Sequence, residues 1–190
     1  MHDGFFKFDL LRLRHELFRG GLSEVLRREL FHQREAVSVL PYDPVRDAVV
    51  LIEQFRAGAI EAPDGPWLIE GVAGMLDPDE RPEKTAAREM REECGLELGR
   101  LEFAGLYMAS PGATTERVDA FVGEVTAPEH GGIHGLAHEH EDIRVEVFAY
   151  EDAVAMLRSG RIIAANTVIP LQHLMLNRDR LRLAWRPAPG

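Results

Sequence analysis

Within residues 74–96 the chain places Gly74, then Glu80, then the run Arg88-Glu89-Met90-Arg91-Glu92-Glu93-Cys94-Gly95-Leu96. Pro82 suits the first turn of a helix, where its missing N–H has no partner to lose. Gly95 suits the left-handed residue that ends one. The segment therefore predicts a helix over about Pro82–Cys94. At ~100° per residue, Glu89, Glu92 and Glu93 fall within about one third of its circumference. Like charges so placed repel by roughly a few tenths of a kcal/mol per pair on an open surface, and a cation among the oxygens removes the conflict. Magnesium is the natural candidate, a hard ion that takes carboxylate, carbonyl and water oxygens together with substrate phosphates. Taken singly, each glutamate reads as a solvated helix face, and Arg88 with Glu92 as an ordinary i,i+4 ion pair. With Gly74, Glu80 and Gly95 all in step, that reading no longer accounts for the pattern. Gly74 itself marks a close approach of backbone to something else, or a positive φ.

These residues satisfy every specified position of Gly-x5-Glu-x7-Arg-Glu-U-x-Glu-Glu-x-Gly-U, where U is a bulky aliphatic residue. On them the chain resembles the Nudix hydrolases. Pro111, fifteen residues beyond Leu96, stands where that family's ADP-ribose pyrophosphatase subgroup has a proline, although a Pro-Gly turn needs no function. Residues 132–145, with Gly135-Leu136-Ala137 and Glu141-Asp142-Ile143-Arg144-Val145, are similar to a loop of the bacterial members of the subgroup. The likeness extends to Gly4-Phe5-Phe6, Arg27-Arg28-Glu29, residues 40–47 and residues 51–56.

The resemblance implies an α+β fold, the Nudix α/β/α sandwich around a mixed sheet, preceded by an N-terminal antiparallel β element. It implies magnesium- or manganese-dependent hydrolysis of ADP-ribose to AMP and ribose 5-phosphate. Metal would be held by Glu89, Glu93, Glu141 and the Ala73 carbonyl. Glu139 would orient or deprotonate the attacking water. Glu92 and Arg88 join it in the catalytic set, Glu92 sharing an ion and Arg88, with Glu80, bracing the loop against its helix. On the substrate side stand Arg56 for the phosphates, Arg28 and Phe5 for the adenine across a dimer interface, and Met75 and Glu116. Two alternatives stay open: a pyrophosphatase for another nucleoside diphosphate sugar or dinucleotide, and a sensor that binds ADP-ribose without turnover. Intact Glu89, Glu92 and Glu93 argue against the sensor. His130, His134, His138 and His140 crowd the same loop and offer a minor third reading, an imidazole site for zinc or nickel.

With a net charge of −10 over 190 residues, neither sequence-independent nucleic-acid binding nor an anionic membrane surface is expected. An acidic chain that handles phosphate needs local positive charge, which a metal ion and a few arginines supply. The one cysteine, Cys94, excludes an intramolecular disulfide and reads as a packed thiol. No basic leader with an apolar run and no membrane-length apolar stretch is evident, so a cytoplasmic protein is expected.

Alternation of Leu11, Leu13 and Leu17 with Arg12, Arg14 and Glu16 predicts a first strand. After a turn at residues 19–21, residues 22–34 fit a returning strand or a helix. Strands are expected over residues 36–40, 48–55, 67–72, 101–108, 117–125 and 143–150, with a turn at 42–47 and a long polar loop at 126–142. Helices are expected over residues 151–159 and 167–177. The division expected is an N-terminal β element over residues 1–40, exchanged within a homodimer, and a hydrolase domain over residues 41–190.

Overall fold

The computed structural model describes residues 6–136 and 141–186. Strands β1 (Lys7–Leu13) and β2 (Leu26–His32) form a separate antiparallel hairpin, paired from Lys7 with His32 to Leu13 with Leu26. This settles residues 22–34 in favour of a strand. The separate element ends at His32. Residues 36–40, grouped by sequence with the N-terminal element, instead open β3 (Ala36–Asp43), the central strand of the main sheet.

The main sheet runs β7 (Leu101–Met108), β8 (Arg117–Glu124), β3, β4 (Ala48–Phe55), β10 (Ile143–Ala149), β9 (Gly132–His134). β3 lies parallel to β8, and the other pairs are antiparallel, so the sheet is mixed. β3 and β4 pair only next to their turn, through Tyr42 and Asp43. Beyond it they part, and β5 (Trp67–Glu70) and β6 (Val72–Met75) fill the gap. The stretch expected as one strand is therefore two: β5 pairs with β4, and after Gly71 the chain changes partner to β3.

The sheet is buried on both faces, which is why β4 reads as an unbroken apolar run. Val37, Val39, Val50 and Ile52 face α1 (Pro82–Cys94) through Ala86, Met90 and Cys94. Leu40, Tyr42, Val49 and Leu51 face α2 (Tyr150–Ser159) and α3 (Ala165–Trp185) through Ala153, Val154, Leu171 and Leu174. A period of two in the strands thus serves two separate cores, and the architecture is the expected α+β sandwich.

Two boundaries differ from expectation for tertiary reasons. β3 runs on through Tyr42 because that ring is fully buried and its hydroxyl donates to Asp47 Oδ1 at 2.7 Å. The turn proper is then tied by Asp43, whose Oδ1 accepts from the Val45 and Arg46 amides at 2.9 Å. α3 continues past Asn177, although the sequence there turns polar. Arg178 and Arg182 pair with Asp47, Arg180 pairs with Glu102, and Leu181 and Trp185 are buried. No helix among the described residues is long and apolar enough to cross a membrane.

Candidate active site

The helix α1 is built as its sequence requires. Pro82 occupies its first turn, and Gly95, at φ 66°, closes it in the left-handed conformation. Its buried stripe of Ala86, Met90 and Cys94 packs on the sheet, and this turns Glu89 and Glu93 toward β6. Burial pushes the Cys94 thiol well above its ordinary range, consistent with a packing role.

A cavity of about 780 Å³ opens where β6, α1, β7 and the start of α3 meet. Glu89, Glu93, Ala73, Met75 and Arg88 line it together with Arg56, Glu116 and Glu141. Glu93 is 3% exposed, and its Oε2 accepts only from the Ala73 amide, at 3.2 Å, among the described residues. Burial, aided by the charge of Glu89, pushes its pKa up to about 8. Burial likewise pushes Glu89 up to about 7, against the pull of Arg88. The charge of Glu141 raises both.

Arg88 joins parts of this lining. Its Nη1 donates to Glu89 Oε1 at 2.7 Å and to Glu92 Oε2 at 3.0 Å, and its Nη2 to the Met75 carbonyl at 3.3 Å. Glu80 lies 3.6 Å from Nη2 and accepts from Thr85 Oγ1 at 2.7 Å. Arg88 thus ties the loop before α1 to the helix, and Glu92 does not line the cavity.

The donor set fits a hard divalent ion. Glu93 is buried with no ion pair among the described residues, and half-buried Glu89 shares its one cation, Arg88, with Glu92, while both carboxyls have raised pKa values. Among the described residues no three His, Cys, Asp or Glu side chains converge tightly enough to hold an ion as placed. His130 and His134 do not line the cavity. His134 instead packs toward Gly95 at the end of α1. His138 and His140 lie outside the described residues, as do Phe5 and Glu139.

Gly74 explains its own place in the pattern, because a Cβ there would overlap the Glu89 carboxyl group. Gly74→Ala should therefore displace Glu89 while the backbone holds. A roughly tenfold rise in the magnesium needed for half-maximal activity is expected, the loss of one charged ligand interaction. Magnesium titration with thermal melting checks this. An unchanged metal requirement in a folded variant would show that Glu89 does not need that position.

Arg28 is exposed on the hairpin, donates to the Arg27 carbonyl, and does not reach the cavity of its own chain. Sequence reasoning passed over Arg34, Glu70, Tyr107 and Asn166, all of which line the cavity. A usable signal existed for Glu70, an acid closing the apolar run Trp67-Leu68-Ile69. Glu116 is raised in pKa by burial. Its loop is clasped to the hairpin stem by Gln33, whose amide donates to Thr115 Oγ1 and whose Oε1 accepts from Thr114 Oγ1.

The NUDIX domain pattern matches residues 32–168. The chain is 48% identical over 185 residues to an ADP-ribose pyrophosphatase of Escherichia coli (strain K12), covering 97% of this chain and 88% of that protein. It is 41% identical to one from Haemophilus influenzae, across 98% of this chain and 87% of that one. A GDP-mannose pyrophosphatase of Escherichia coli O1:K1 is 34% identical, over 90% of this chain and 89% of its own length. In fold, a solved structure described as an ADP compounds hydrolase superposes with a TM-score of 0.70 at 22% identity, covering 98% of this chain and 92% of that one. With the signature complete from Gly74 on β6 to Leu96 just past α1, and the match spanning most of the chain, this protein belongs to the NUDIX family.

Proposed function

We propose that this chain hydrolyses the pyrophosphate of ADP-ribose to AMP and ribose 5-phosphate, with magnesium or manganese as its ion. The reading rests on one observation: a single cavity is lined by half-buried Glu89, buried Glu93 and Arg56, in a chain similar over nearly its whole length to ADP-ribose pyrophosphatases.

Displacement of one phosphate by water needs charge neutralisation, a positioned nucleophile and in-line geometry. The divalent ion, when bound, supplies neutralisation and lowers the pKa of a coordinated water. Glu89, Glu93, Glu141 and the Ala73 carbonyl would hold it, with Glu92 at its edge. Arg88 keeps Glu89 and Glu92 in place. Arg56 offers a planar fork suited to phosphate oxygens. Glu139 would take or orient the proton of the attacking water, and Met75 and Glu116 would bound the substrate.

Separation of products after incubation with ADP-ribose tests this. AMP and ribose 5-phosphate in equal amounts are expected with magnesium, and neither in its absence. GDP-mannose is the second reading, favoured by the 34% identical relative. A higher kcat/KM on GDP-mannose would replace the first reading.

The hairpin supports a further part of the proposal, a homodimer. Leu10, Phe18, Leu22 and Val25 are exposed on it, and an apolar surface of this kind marks an interface. Two-fold dimers are the commonest closed assembly. The arm, through His32, would exchange between copies and carry Phe5 and Arg28 to the partner's adenine. Removal of residues 1–20 should then weaken association and ADP-ribose binding together. A fully active monomer by light scattering would defeat this part.

A further inference from the structure

Arg56, Glu70 and Asn166 line the cavity as a relay that the scheme above leaves unused. Glu70 ends β5 with its side chain 4% exposed. Arg56 Nε donates to its Oε2 at 2.6 Å, and Asn166 Nδ2 donates to its Oε1 at 3.1 Å. Next along the chain, the Gly71 amide donates to Thr167 Oγ1 at 2.8 Å, and that hydroxyl donates to Asn166 Oδ1 at 3.0 Å. The first turn of α3 therefore grips both residues where β5 gives way to β6. A helix N-terminus also favours a carboxylate at this place. Among the described residues, Nε is the one side-chain nitrogen of Arg56 with an acceptor. Both terminal NH2 groups are left to the cavity that Arg56 lines.

We propose that Glu70 is a positioning residue: braced by Asn166, it fixes the plane of the Arg56 guanidinium toward a diphosphate and holds that cation off Glu93. The inference rests on the reading of the cavity as a nucleoside diphosphate site. Its first half follows from geometry: with one Glu70 oxygen held by Asn166, the other anchors Arg56 Nε and leaves the terminal NH2 groups to the cavity. Its second half follows from charge. Arg56 and the buried Glu93 line the same cavity. A guanidinium released from Glu70 would be drawn onto Glu93, where it would compete with the divalent ion. Glu70 thus keeps the phosphate-facing cation and the metal-holding carboxylate apart.

Glu70→Gln is the direct test, since a glutamine accepts from one donor only and turns its NH2 toward the other. The variant should raise KM for ADP-ribose about tenfold, the scale of one charge-assisted hydrogen bond. The magnesium needed for half-maximal rate should rise several-fold, and kcat should change less than KM. Calorimetry with an ADP-ribose analogue carrying a methylene between the phosphorus atoms should show the same weakening of binding, with no turnover involved. Asn166→Ala should move both readouts in the same direction by a smaller factor. Combined with Arg56→Lys, Glu70→Gln should add little, because the two act as one unit.

A folded Glu70→Gln protein with wild-type KM, analogue affinity and magnesium requirement would overturn the inference, as would full additivity with Arg56→Lys. If Glu70→Gln fails to fold, Asn166→Ala decides the matter by the same readouts. Wild-type protein that does not turn over ADP-ribose overturns the functional reading itself. An active wild type beside an unaffected Glu70→Gln overturns only the role given to Glu70.

Discussion

Glu139→Gln is expected to lower kcat by ~10²–10⁴-fold with little change in substrate affinity, the range for loss of a general base. Its neighbour two residues on should behave differently. Glu141 lines the cavity, and its charge bears on both Glu89 and Glu93. Its Oε2 also accepts from the Leu136 amide at 3.2 Å. A group that shares the field of the metal-holding acids should act through metal occupancy, so Glu141→Gln should raise the magnesium requirement. Steady-state kinetics across a magnesium series separates the two. Equal effects from both substitutions, or none from either, would contradict this division of work within the loop.

Glu93→Gln should reduce kcat by at least ~10²-fold at saturating magnesium, because a positioned metal contributes several kcal/mol of transition-state charge stabilisation. The fold should persist, since glutamine has the same shape and keeps an oxygen for the Ala73 amide. Stability should even show the sign of the lost charge. Without metal, burial and Glu89 hold Glu93 at about 8, against an ordinary 4.5 in the unfolded chain. Between those values the native state binds the extra proton. Its contribution to stability is complete below the lower value and is lost as pH rises through the higher one. Metal-free wild type should therefore lose Tm from about pH 4.5 to about pH 8, and Glu93→Gln should lose less. Metal binding should tighten over the same range, since the ion displaces a proton. Near-normal turnover by a folded Glu93→Gln protein would remove this residue from the metal site.

The helix carrying these acids could be read from sequence because its determinants are local. Pro82, Gly95 and the spacing of Ala86, Met90 and Cys94 act within a few turns, and they place Glu89 and Glu93 together whatever surrounds them. The strands of the two-sided core could be read for the same reason, since Val49, Val50, Leu51 and Ile52 are apolar on both faces. The hairpin was half legible: Leu22, Val25, Leu26 and Leu30 suit either period, and pairing with β1 decides between them.

What sequence by itself determined was thus the signature helix, its caps, its acidic face and the resemblance that names Glu139 and Glu141. Tertiary structure alone decided what else lines the cavity. That residues 67–75 split at Gly71 follows from competition between β3 and β4 for partners. That α3 runs to Trp185 follows from ion pairs to Asp47 and Glu102 far away in the chain. The meeting of Arg56, Glu70 and Asn166 across one cavity wall likewise spans three distant segments. Periodicity and capping act over one or two helical turns, whereas a charge held between a strand end and a helix start exists only once the sheet and α3 have packed.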